Sequence, residues 1–112
     1  GPWWVDFEGF QQVKHFALQH GYSVGYSARI YAAVLYEWSE VNGYVRARVL
    51  HPMQAWKGRG RQVESTGKDA RDLPRMTPMQ SVNEVYQLYL PGIGGRQSIT
   101  DTALQVLDWK SI

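Results

Sequence analysis

The chain has no cysteine among its 112 residues. That absence excludes a disulfide framework, a thiolate metal site and a cysteine nucleophile together, so stability has to come from packing. Long apolar runs are missing as well. No stretch approaches the roughly 20 residues that span a bilayer, and no basic stretch near the start leads into an apolar core with a cleavage site. An intracellular protein, cytoplasmic or nuclear, with no membrane partner is the expectation. A phosphate-binding glycine loop, a nucleophile elbow and a dinucleotide fingerprint are also lacking, since Gly92-Ile93-Gly94-Gly95 has neither the lysine nor the serine a phosphate loop needs. His15 and His20 are five apart, on different faces of a helix, with no acid or histidine at ligand spacing, and neither metal nor cofactor is expected.

Aromatic and apolar residues are plentiful. A hydrophobic share of 44%, with five tryptophans and seven tyrosines, suffices for one core. A single domain over 3–112 follows, Gly1-Pro2 ahead of Trp3-Trp4 being read as the remnant of a cleaved tag. The net charge of +2 is unevenly spread. Residues 1–44 sum to −2 and residues 77–112 to −1, whereas residues 45–76 hold Arg46, Arg48, Lys57, Arg59, Arg61, Lys68, Arg71 and Arg75 against three acids, a sum of +5.

Periodicity predicts a mainly α fold of about four helices, with a short strand or hairpin and a basic central loop; α+β is the alternative. The first helix runs from about Glu8 to His20, with Phe10, Val13, Phe16 and Ala17 in its stripe, Asp6 as cap and Gly21 as stop. The second covers Ser27 to Asn42, where Ile30, Tyr31, Val34, Leu35, Trp38 and Val41 share a face. Its rival takes Asn42-Gly43 as a hairpin turn that pairs Trp38 with Ala47, Glu37 with Arg48 and Tyr36 with Val49. Tyr44 to Leu50 alternates as a strand does, with Val45, Ala47 and Val49 on one face. From Gly58 to Arg75 glycines and charges predominate, which reads as a mobile basic loop over 58–76. A third helix starts at Thr77-Pro78 with Gln80 completing a capping box and Met79, Val82, Val85, Tyr86, Tyr89 and Leu90 as its stripe. Pro91-Gly92 ends it. A last helix begins at Ser98 or Thr100 and carries Ile99, Ala103, Val106, Leu107 and Trp109.

Three constellations bear on function. The first is the basic segment, in which Tyr44, Arg46, Arg48, His51, Trp56, Lys57, Arg59 and Arg61 combine cations for phosphates with aromatic faces for bases, and it gives the leading expectation of a non-catalytic nucleic-acid-binding module. The second is Ala17-x-x-x-Gly21-Tyr22-Ser23, which has the residues of a helix-turn-helix corner. That stretch also resembles the core-binding domain of tyrosine recombinases in Gly21-Tyr22-Ser23 followed by Ser27-x-x-x-Tyr31-x-x-x-Leu35-x-x-Trp38. It covers less than a quarter of the chain, and no residue role is carried across. The third is Arg46-x-x-x-x-His51, similar in spacing to the signature of the higher-eukaryote-and-prokaryote nucleotide-binding ribonucleases. The resemblance implies an arginine and a histidine on one helix, one polarising a phosphate and the other moving a proton; Ala47 stands where that family has a polar residue. A small metal-independent ribonuclease is accordingly the third reading. The second is a protein-interaction or regulatory domain that sets Trp3, Trp4, Trp56 and the basic loop against an acidic protein partner.

Overall fold

The structure is a computed structural model that describes residues 3–79, 85–90 and 103–111. In chain order the elements are β1 (Trp3–Val5), α1 (Phe7–His20), α2 (Val24–Ala32), β2 (Gly43–Val49), β3 (Trp56–Gly58), β4 (Val63–Glu64), β5 (Arg75–Met76), β6 (Gln87–Tyr89) and β7 (Leu104–Ser111). Among the described residues there are thus two helices and seven strands, which form three small antiparallel sheets ordered β1-β6-β3, β2-β7 and β4-β5. This is an α+β arrangement and overturns the mainly α expectation of four helices.

The first helix is as its sequence predicts. Asp6 accepts the Gly9 amide through Oδ1 at 2.7 Å, and Gly21 closes the far end with φ 68°. A left-handed residue there costs glycine nothing. The second helix is displaced: Ser23 caps it, while Ser27 lies inside it and donates its hydroxyl to the Ser23 carbonyl at 2.8 Å. It ends at Ala32, ten residues short of Asn42, where the capping Ala33, with a φ of 53°, breaks the spiral. A non-glycine residue in that region costs about 1–2 kcal/mol, so tertiary contacts must hold it. They are supplied by Asp72, whose Oδ1 and Oδ2 accept the amides of Tyr36 and Glu37 at 2.7 and 3.1 Å.

Asp72 also faces the Arg29 guanidinium at 3.6 Å, with side-chain exposures of 1% and 4%. The guanidinium lies 3.2 Å from the centroid of the Tyr36 ring, and that of Arg71 lies 4.2 Å from the same ring. Arg71 in turn binds Asp69 and Glu40, and Glu37 accepts both the amide and the hydroxyl of Thr66. The β4-β5 hairpin is therefore clasped onto the chain that leaves α2.

The hairpin reading of Asn42-Gly43 fails as well. Ala47, Arg48 and Val49 pair with Val106, Gln105 and Leu104, not with Trp38, Glu37 and Tyr36. The expected third helix is absent where its residues are described. Thr77 to Met79 is irregular, the Met79 amide donating to the Ile30 carbonyl at 2.9 Å, and Gln87–Tyr89 is the central strand between β1 and β3. Pairing on both edges outweighs the helical spacing of its side chains. Gln80 and Val82 lie outside the described residues, as do Pro91, Gly92, Gly94, Gly95, Ser98, Ile99 and Thr100. The expected last helix is a strand from Leu104 onward, and a bulge explains the misreading. Pairing steps from Arg46↔Asp108 to Ala47↔Val106, which leaves Leu107 as the extra residue. The apolar positions on one face become 104, 106 and 109, a spacing that mimics a helix turn.

Among the described residues two clusters make the core. Val13, Phe16 and Tyr31 join α1 to α2, with Met79 and Val85 packed against them; Leu90, just past β6, meets Leu104 of β7, with Trp4, Ala47 and Met53 around them. Trp4, expected at the surface, is half-buried here.

Two measurements check this account. Gly25→Ala should destabilise by about 1–3 kcal/mol in urea denaturation, although alanine suits a helix better, because its Cβ would be driven into the Val41 carbonyl oxygen. Gly58→Ala, with open space at its Cβ, serves as the control. Asp72→Asn should cost about 3–5 kcal/mol, since it strands the buried Arg29 cation.

Candidate functional site

The sequence places its positive charge in one segment, but the fold disperses it. Arg46 is held by Asp108 through two parallel bonds, from Nε at 2.9 Å and Nη2 at 2.8 Å. This raises the arginine's pKa and depresses the carboxyl's, the hydrogen bond being the larger cause in both. Arg71 is tied to Asp69 and Glu40, and Arg75 lies 3.6 Å from Glu64. Three of the eight cations counted above are thereby matched with acids. Lys57 lies over the Tyr86 ring at 4.6 Å. Arg48 and Arg61 are exposed and make no hydrogen bond or ion pair with the described residues.

The predicted site residues are also divided between two sheets. Tyr44, Arg46 and Arg48 alternate along one face of β2, whose other side chains face the opposite way. Tyr44 is half-buried against Phe10 of α1, ring centroids 4.8 Å apart. His51 is exposed just beyond the strand. Trp56 and Lys57 stand on β3, at the edge of the β1-β6-β3 sheet, and Arg59 follows in the adjoining loop. Arg46 and His51 do not share a helix, as the ribonuclease resemblance implied, because Arg46 lies on a strand and its guanidinium is occupied. The helix-turn-helix corner is present as two consecutive helices around Gly21. However, the one cation of α2, Arg29, is buried and faces Asp72, so that helix offers no charge to a phosphate.

A surface that periodicity did not anticipate lies on the other face of the β2-β7 ribbon. Pairing aligns Gly43, Val45, Ala47 and Val49 with Ser111, Trp109, Val106 and Leu104, all uncharged. Leu104 and Ala47 turn into the second core cluster, but Val45 is 40% exposed, Val49 56%, Val106 55% and Trp109 64%. Leu107, the bulged residue, is exposed beside them. The Trp109 ring lies over Gly43, where a Cβ would meet it at 2.6 Å, so the glycine is a seat for the indole. The exposed side chains amount to a patch on the order of 400 Å², comparable to the largest apolar patch of a typical monomer and frequently a contact site. Trp38 and Trp56 are exposed elsewhere. The available signal was the Val45-Ala47-Val49 alternation, which told of a strand with an apolar face but not of what covers that face.

Among the described residues, no helix is long and apolar enough to cross a membrane. Comparison of the chain with protein-family models, with curated proteins and with solved structures finds no match.

The Arg71-Asp69 bond gives an acid-sensitive signature. The guanidinium's hydrogen bond holds the Asp69 carboxyl down to about 2. A carboxyl with its pKa depressed by folding contributes stability that is complete above its ordinary value near 4 and fades as pH falls toward 2. Asp69→Asn should therefore flatten the stability profile between about pH 4 and 2 in chemical denaturation.

Proposed function

We propose that the chain is a protein-interaction module whose contact surface is the apolar face of the β2-β7 ribbon. The observation that carries this reading is the exposure of Val45, Val49, Val106 and Trp109 together on one uncharged face of a two-stranded sheet. A two-stranded ribbon is marginal in water unless a third strand or a packed layer covers it, and water-facing valines and tryptophan are costly to leave uncovered. Tryptophan is also among the residues that dominate the buried centre of a protein interface.

A nucleic-acid contact is the second reading. It is supported by Trp56, 74% exposed on an edge strand, with exposed His51, Arg48 and Arg61 in the same segment of chain. A photo-crosslinking amino acid placed at Val106, and separately at Arg61, distinguishes the two in the cells that make the protein. Discrete protein adducts from position 106 and none from 61 are expected. Adducts to nucleic acid from 61 alone, together with salt-dependent DNA or RNA binding abolished by joint Arg48→Glu and Arg61→Glu reversal, would overturn the interaction reading in favour of the other.

A further inference from the structure

Strand β7 of the ribbon specifies a partner. Among the described residues β7 is paired only with β2, so an eight-residue strand presents an open edge. Such edges recruit another strand unless they are blocked. Proline is absent from β7; its one bulge, at Leu107, precedes the regular stretch Asp108-Trp109-Lys110.

We infer that β7 pairs antiparallel with β7 of a second copy of this chain, about a two-fold axis at Trp109; the inference rests on the interaction reading above. Charge selects both occupant and register. A two-fold at Trp109 opposes Asp108 to Lys110 of the second copy and Lys110 to its Asp108, with the two tryptophans directly across from one another. A two-fold at Asp108 would oppose two aspartates, and one at Lys110 two lysines. Like charges directly opposite one another destabilise a ladder, and opposite charges and aromatic pairs stabilise it. Registers that fall between residues would set the apolar face of one copy beside the charged face of the other.

The result is a four-stranded sheet ordered β2-β7-β7-β2. Its apolar row runs from Val45 through Trp109 of one copy to Trp109 and Val45 of the other, because an axis perpendicular to the sheet keeps like faces on one side. On the reverse face Arg46, already bound to Asp108 at 2.8 Å, joins the Lys110 of the second copy around one carboxylate. A ribbon of two strands thereby becomes a four-stranded sheet, and its joined apolar row is a continuous form of the contact face proposed above.

Sedimentation velocity on the full chain tests this. The wild-type chain should sediment at twice 12.8 kDa at micromolar concentration. Lys110→Asp, which sets two pairs of aspartates against each other, should weaken the dimer by about tenfold or more. Mixing the Lys110→Asp chain with an Asp108→Lys chain should restore a heterodimer, since every opposed pair is again of opposite sign. If the Asp108→Lys chain does not fold beside Arg46, the wild-type against Lys110→Asp comparison decides alone. A wild-type monomer at 100 µM, chosen as roughly a hundredfold above a micromolar constant, overturns the inference; so does a Lys110→Asp dimer as tight as wild type. A monomer that still gives discrete adducts to other proteins from position 106 would sink the self-pairing and leave the interaction reading standing.

Discussion

The carboxylate of Asp72 is the constraint on which the central part of the fold depends. Buried with its neighbour Arg29, it accepts the amides of Tyr36 and Glu37, the backbone groups that a continued α2 would have bonded internally. The helix is thereby exchanged for an irregular segment with Ala33 and Val41 at positive φ near its two ends. Val41 is β-branched, for which this conformation is costly, yet its carbonyl is brought against Gly25, where no side chain stands in the way. The ion pair does not have to add net stability to have this effect. Desolvation offsets much of the attraction between buried charges; the local consequence is that only one course of the chain satisfies them.

That single course organises the surface. The segment leaving α2 returns as β2, which can then reach β7, more than fifty residues away in sequence. On the far side the β4-β5 hairpin is held through Thr66 on Glu37 and Arg71 on Glu40. Glu40 and Asp108, acids contributed by distant segments, are thus placed beside Arg71 and Arg46. A charge sum over a window describes a patch only when the window stays together in space, and here Asp108, 62 residues further on, reaches Arg46.

What was legible in the sequence was what depends on near neighbours. Asp6 and Gly21 bracket α1 because capping is a matter of a few residues, and the alternation from Val45 to Val49 identified β2 without its partner. The rest failed where a distant group decides the outcome. The stripe from Ile30 to Trp38 ends in mid-course because Asp72 intervenes. Tyr86 and Tyr89 keep helical spacing, yet Tyr89 lies between two strands, and Trp109, read in the stripe of a last helix, stands exposed on the bulged strand. Of the candidate site residues, Trp56, Arg48 and Arg61 are exposed, whereas Arg46 and Tyr44 are engaged by Asp108 and Phe10.

The bulge at Leu107 also governs how this chain can change in length. Because the residue is supernumerary to the ladder, its removal would leave Arg46 opposite Asp108 and Ala47 opposite Val106, with the strand merely less twisted. Loss of Gln105 would instead bring Val106 opposite Arg48 and turn its side chain to the charged face. Within β7, position 107 is the place where a family of such sequences could gain or lose a residue while keeping both faces of the ribbon intact.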